Sequence, residues 1–168
     1  RLTKVTLPAT LTKIGDSAFF KCVSLKEIIV APECTAFSSE DGVLFDKEKT
    51  SLIFYPPGKT TTDYTIPDRV RIIVDRAFSD CRNLVNVNVG NNLNKIGESA
   101  FEHCNKLVDI DIPDGITEIG NRAFSYCESL KKVKIGNNVT KIGASAFKGC
   151  KSLVRLGMGR RAARSKAP

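Results

Sequence analysis

Tryptophan is absent, and histidine and methionine occur once each in 168 residues. A single imidazole, His103, leaves little material for a metal centre or for acid–base catalysis. No run approaches the roughly eighteen apolar residues that read as a membrane-spanning helix. Glycine-rich phosphate loops are missing. Asp41-Gly42 faintly resembles the end of a calcium loop, but the D-x-D-x-D-G spacing is not there. Neither an initiator methionine nor a signal peptide opens the chain. Arg1 stands inside patterned text, so the chain reads as a fragment or processed form and leaves the compartment open.

What is present is an ordinary globular balance, 42% hydrophobic and 26% charged, enough for one domain with a sizeable core. The formal charge of +8 points toward nucleic acid or acidic surfaces until it is located. Half of it comes from Arg160, Arg161, Arg164 and Lys166, in the last nine residues. The body is only mildly basic. Residues 159–168 read as a solvated, disordered tail, or as a nonspecific and salt-sensitive contact for nucleic acid or anionic membrane.

The organising feature is a repeat. Ala-Phe recurs at 18–19, 77–78, 100–101, 123–124 and 146–147; the last four are spaced by 23 residues and the first gap is 59. Each Phe is followed three residues later by Cys22, Cys81, Cys104, Cys127 or Cys150, and each Cys three later by Leu25, Leu84, Leu107, Leu130 or Leu153. Ile-Gly stands upstream at 14–15, 96–97, 119–120 and 142–143, with Ile73-Val74 as the exception. One unit reads L-x-x-I-x-I-(P/G)-x-x-(V/L)-x-x-I-G-x-x-A-F-x-x-C-x-x. Units start near Leu2, Leu25, Thr61, Leu84, Leu107 and Leu130, with a partial one from Leu153.

The segment L-x-x-I-x-I alternates as a short strand with its apolar side inward, and Pro8, Pro67 and Pro113 stop it. The Ile-Gly corner turns the chain, and Ala-Phe-x-x-Cys forms one short turn on the opposite wall. A unit this small cannot bury its apolar side alone, so copies must stack into a solenoid. Stacking predicts one interior column of the five Phe residues and a second of the five Cys residues.

These units resemble the BspA-like leucine-rich repeats of bacterial and protozoan surface proteins, as in Asn138-Val-Thr-Lys-Ile-Gly-Ala-Ser-Ala-Phe-Lys-Gly-Cys-Lys-Ser-Leu153. The resemblance runs from Leu2 to about Leu156. It implies a mostly-β leucine-rich-repeat solenoid over 1–158, an α/β-type architecture with parallel strands on its concave side. It implies a non-enzymatic module without cofactor or metal: a cell-surface or secreted adhesin that binds host matrix or cell-surface proteins.

Residues 25–60 form a 36-residue unit that lacks the Ala-Phe-x-x-Cys block. Glu40-Asp-Gly-Val-Leu-Phe45 and Ser51-Leu-Ile-Phe-Tyr55, joined by Asp46-Lys-Glu-Lys-Thr50, predict a β-hairpin before the Pro56-Pro57-Gly58 turn. Hairpins of this kind recur in BspA-like arrays. The insertion is a spacer that bends or blunts the solenoid, or a contact surface at its tip.

The five repeat cysteines fall on an apolar phase and read as buried thiols, with a stacked disulfide between rungs as the geometric alternative. Cys34 lies outside that phase and is expected to be exposed. His103 falls on the outer wall as a surface residue. Asn138-Val139-Thr140 is a glycosylation sequon, relevant only to a secreted eukaryotic chain.

In such a solenoid a partner meets the outward strand positions of the concave face. The candidate protein-binding strip is Lys26, Glu27, Ile29, Asn86, Asn88, Asp109, Asp111, Lys131, Lys132, Lys134 and Arg155, with Val85, Val108 and Val154 as apolar contact points. Asp109 and Asp111 make an acidic rung beside a basic end. The strip is either a solvated face whose rungs pair weakly or a patterned docking surface. A scaffold segment without a ligand of its own, and binding through the basic tail, remain the other functional readings.

Overall fold

The alternation becomes seven strands on one wall. The computed structural model describes residues 1–157. In order, the first strands of the rungs are β1 (Lys4–Leu7), β2 (Glu27–Val30), β6 (Asp63–Thr65), β8 (Asn86–Asn88), β10 (Asp109–Asp111), β12 (Lys132–Lys134) and β14 (Arg155–Gly157). The remaining strands are β3 (Phe37–Glu40), β4 (Val43–Asp46), β5 (Ser51–Phe54), β7 (Ile72–Ile73), β9 (Lys95–Ile96), β11 (Glu118–Ile119) and β13 (Lys141–Ile142). All rung-to-rung pairings are parallel, and β8, β10 and β12 each bury only their middle residue.

The residue before each Ile-Gly corner is also extended. β7, β9, β11 and β13 stack as a second parallel sheet, a feature beyond the single strand wall the repeat predicts. The back wall then runs through consecutive turns, with no helix among the described residues. Its cause is visible in the backbone. Two residues per unit, two before and two after the position of Phe, have positive φ: Arg76 and Asp80, Ser99 and His103, Arg122 and Tyr126. A left-handed residue every few positions breaks the continuous right-handed path a helix needs.

Stacking delivers the aromatic column, with one change. Phe78, Phe101, Phe124 and Phe147 lie face to face at centroid spacings of 4.8, 5.3 and 5.5 Å. The fifth member is Tyr55, 5.1 Å from Phe78, and not Phe19, which pairs with Phe54 in a separate small core. Tyr55 sits 23 residues before Phe78, and its N–H donates to the Ala77 carbonyl as the Phe78 N–H donates to Ala100. The long unit thus keeps the column with a different residue.

The cysteines form their own ladder. The thiols of Cys104, Cys127 and Cys150 each donate to the carbonyl of the preceding rung's Phe at 3.1 Å, and Cys81 reaches the Tyr55 carbonyl at 3.6 Å. All six cysteines are free thiols. Cys34 is fully buried, contrary to its expected exposure. It lies 23 residues after Leu11 and so occupies the repeat's apolar (V/L) position, donating to the Leu11 carbonyl at 3.5 Å.

The insertion is a three-stranded antiparallel meander, β3-β4-β5, one strand more than the predicted hairpin. Asp41-Gly42, with φ of 50° and 76°, is its two-residue turn; Asp-Gly fits the type I′ geometry that parallels strand twist. At the other turn the Asp46 carboxylate accepts the amides of Thr50 and Ser51 at 2.7 and 2.9 Å. Strand β5 then pairs in parallel with β7, so the meander is sewn into the end of the second sheet.

Candidate protein-binding face

In-register pairing converts outward strand residues into columns. One runs Asp63, Asn86, Asp109, Lys132, Arg155; its neighbour runs Thr65, Asn88, Asp111, Lys134, Gly157. The middle of both columns floors an open groove of about 1200 Å³, rimmed by Asp68, Asp114 and Asn137. Asn86, Asn88, Asp109, Asp111, Lys132 and Lys134 line it together, and Arg155 continues its column.

The remaining strip residues are placed elsewhere. Lys131 precedes β12 and stands outside the groove lining, exposed to solvent. Lys26, Glu27 and Ile29 belong to a two-stranded sheet of β1 and β2, separate from the five-stranded sheet of β6 to β14. The insertion divides the two. Its β3–β4 turn occupies the edge of β2 that would otherwise face β6, with Ile28 N–H donating to the Gly42 carbonyl and Val30 N–H to Ser39 Oγ, both at 3.0 Å. The expected eleven-residue strip is therefore two surfaces. Asp63 and Thr65 were missed, although the alternation Asp63-Tyr64-Thr65 in the unit starting near Thr61 carries their signal. Val85 and Val108 are half-buried, whereas Val154 is 86% exposed.

The groove charges are unspent within the fold. Asp109 faces Lys132 and Asp111 faces Lys134 in register, yet no ion pair within 4.0 Å joins them. Elsewhere the same 23-residue step is used for pairing: Lys4–Glu27 at 3.1 Å, Lys141–Glu118 at 2.6 Å and Lys151–Glu128 at 2.9 Å. At the acidic end, hydrogen bonds from the Thr62 hydroxyl and the Asn86 amide hold the Asp63 carboxyl below its usual range. On the rim, the Asn137 backbone N–H and then its side-chain amide do the same for Asp114. Both carboxylates stay ionised and fixed in place.

No comparable cluster forms around His103 or the thiols. His103 is half-buried on the outer wall and stacks on Tyr126 at 5.0 Å. Burial pushes the Cys104 thiol up; a hydrogen bond with Cys104 and then burial raise Cys127. These thiols are packing groups with little thiolate character. The basic tail at 159–168 lies outside the described residues.

A family model for the BspA-type leucine-rich repeat region matches residues 1–43 and 50–162 in six copies. The chain belongs to the BspA-type leucine-rich repeat family. Its break in the match, 44–49, falls inside the meander. Among solved structures, a leucine-rich repeat protein from Eubacterium ventriosum is 28% identical with a TM-score of 0.90, over 95% of this chain and 43% of that one. A leucine-rich cell surface protein from Faecalibacterium prausnitzii is 30% identical with a TM-score of 0.75, over 98% and 50%. The pneumococcal vaccine antigen PcpA is 25% identical with a TM-score of 0.72, over 95% and 46%. The chain spans at most half the length of these relatives. No curated protein matches it. Repeats of this family fit a protein-interaction module, since a solenoid presents an extended surface for contact.

Proposed function

We propose that this chain is a non-enzymatic adhesive module of a cell-surface or secreted protein, and that it holds a protein partner in the groove over β8, β10 and β12. The carrying observation is the in-register set of charges, acidic on β10 and basic on β12, left unpaired over a groove. A face meant only for solubility gains nothing from withholding pairs that the same molecule makes on its other walls. Charges so arranged steer encounter and select partners by sign. The relatives' printed descriptions, a cell surface protein and a vaccine antigen, support the surface setting.

The test is binding to immobilised fibronectin and fibrinogen at physiological salt. Saturable binding should persist when residues 159–168 are deleted and fall in the double variant Lys132→Ser/Lys134→Ser. Lys131→Ser should leave it unchanged. Binding that instead disappears with the tail would assign the contact to residues 159–168. A folded protein that binds neither matrix protein would remove the matrix reading.

A further inference from the structure

The shortened back wall of the second rung opens a second site, on the side opposite the groove. In regular rungs three backbone N–H groups of each back wall donate to the next rung: Arg76, Phe78 and Asp80 to Glu98, Ala100 and Glu102, and likewise for the rungs that follow. The corresponding donors of the first rung are Ser17, Phe19 and Lys21. None of them donates to a backbone carbonyl among the described residues. The second rung runs from Leu52 straight to Tyr55 and Pro57 and skips the corner. Across the gap, the Asp75 and Ser79 carbonyls receive no backbone N–H; Pro57, in phase to serve Ser79, has none to give.

Between these walls lies a cleft of about 430 Å³, of ligand-pocket size. Its floor is Ile53, Phe54 and Pro57, and its walls include Phe20 and Ile72. Phe20 is 49% exposed, with the Lys21 and Arg76 cations 5.4 and 5.8 Å from its ring centroid. The repeat itself registers the gap. At Gly97, Gly120 and Gly143 an added Cβ would strike the preceding rung at 2.4–2.7 Å, whereas position 74 carries a valine that lines the cleft.

We propose that this cleft binds an extended peptide of a partner protein. The peptide lies as the missing stretch of rung, its carbonyls accepting the N–H groups of Ser17, Phe19 and Lys21, and places one bulky apolar side chain between Phe20, Phe54 and Ile72. A row of open donors facing open acceptors across an apolar floor is the complement of a polypeptide main chain, as in recognition by strand addition.

The probe is a synthetic peptide of the chain's own regular corner, residues 94–104 with Cys104→Ser, titrated into the full chain and followed by amide NMR. A scrambled peptide is the control. Saturation is expected with a dissociation constant on the order of 0.1 mM, with slowed exchange at the Ser17, Phe19 and Lys21 amides. Ala18→Trp, which fills the cleft from an exposed position, should weaken binding by about tenfold or more. Phe20→Ala should weaken it less. No saturation, or equal response to the scrambled peptide, overturns the proposal. So does a response confined to Ser145, Phe147 and Gly149, the same donors on the last rung, which have no facing wall. Self-association abolished by Ala18→Trp without peptide binding would assign the cleft to a second copy of the chain and equally overturn it.

Discussion

Residues 61–157 and residues 1–60 are built from the same unit, yet one half stacks and the other half interrupts. In the regular half every rung meets its neighbour at three places: the first strand, the corner strand and the back-wall turn. In the irregular half the meander replaces the corner, and the two cores part company: Phe19, Cys34 and Leu44 fall in one cluster, Tyr55 onward in the other. The comparison teaches that the repeat's consensus residues are neighbour-dependent. A consensus Phe, Gly or Cys matters only where a rung lies against it.

The strongest way to break the comparison is to truncate the same residue in each half. Phe101→Ala removes a ring clasped on both faces and should cost roughly 3–5 kcal/mol. Phe19→Ala, at a half-buried ring against Phe54 alone, should cost about half that or less. Guanidinium unfolding of both variants checks this. Equal losses would show that the first rung is as tightly integrated as the rest.

Glycine sharpens the same point at the next level of effect. In Gly120→Ala the new methyl would sit 2.7 Å from the Gly97 carbonyl, so about 1–3 kcal/mol should be lost. Gly15→Ala meets nothing within 4 Å and should be neutral or gain roughly 0.4–1 kcal/mol from a stiffer unfolded chain. Thermal melts of the pair decide it. The identical substitution in identical sequence context is then expected to have opposite sign.

The fold was largely legible because stacking repeats its requirements at fixed phase. Phe, Cys and the strand isoleucines recur at 23 residues since each must meet its own copy. What escaped were features whose cause lies outside the consensus. The corner strands β7 to β13 were hidden because a two-residue strand leaves no alternation to read. Cys34 was misplaced because it was compared with the other cysteines, when its phase matches Leu11. Tyr55 was overlooked as the column's fifth ring because the insertion disguises its distance from Phe78. In the candidate site the phase rule found the groove-lining residues of β8, β10 and β12. It could not foresee that Gly42 and Ser39 would take the edge of β2 and split the strip.

Thiol chemistry reads the comparison without perturbing it. A thiol reagent applied to the native protein should modify Cys22 and Cys150, the two half-buried cysteines, and leave Cys34, Cys81, Cys104 and Cys127 until unfolding. Burial pushes the Cys150 thiol up to about 12. Only the thiolate reacts, so its labelling rate should climb with pH and keep climbing well past the point where an ordinary cysteine levels off. Rapid labelling of more than two thiols at neutral pH would mean that the back wall opens readily.

The smallest effect on stability should come from the charges that matter most for binding. Glu118→Gln breaks an exposed rung-to-rung pair with Lys141 and should cost about 0–1 kcal/mol. Lys132→Ser removes a charge that has no partner within 4.0 Å and should cost no more than that, despite an aspartate in register beside it. The two substitutions part in a binding assay. The outer-wall variant should bind as the parent does, and the groove variant should lose on-rate, most visibly at low salt where steering is least screened. A residue whose loss leaves the melt unchanged and slows association is held for contact, not for the fold; if Lys132→Ser instead destabilised the chain as much as Gly120→Ala, the groove would have to be read as structural.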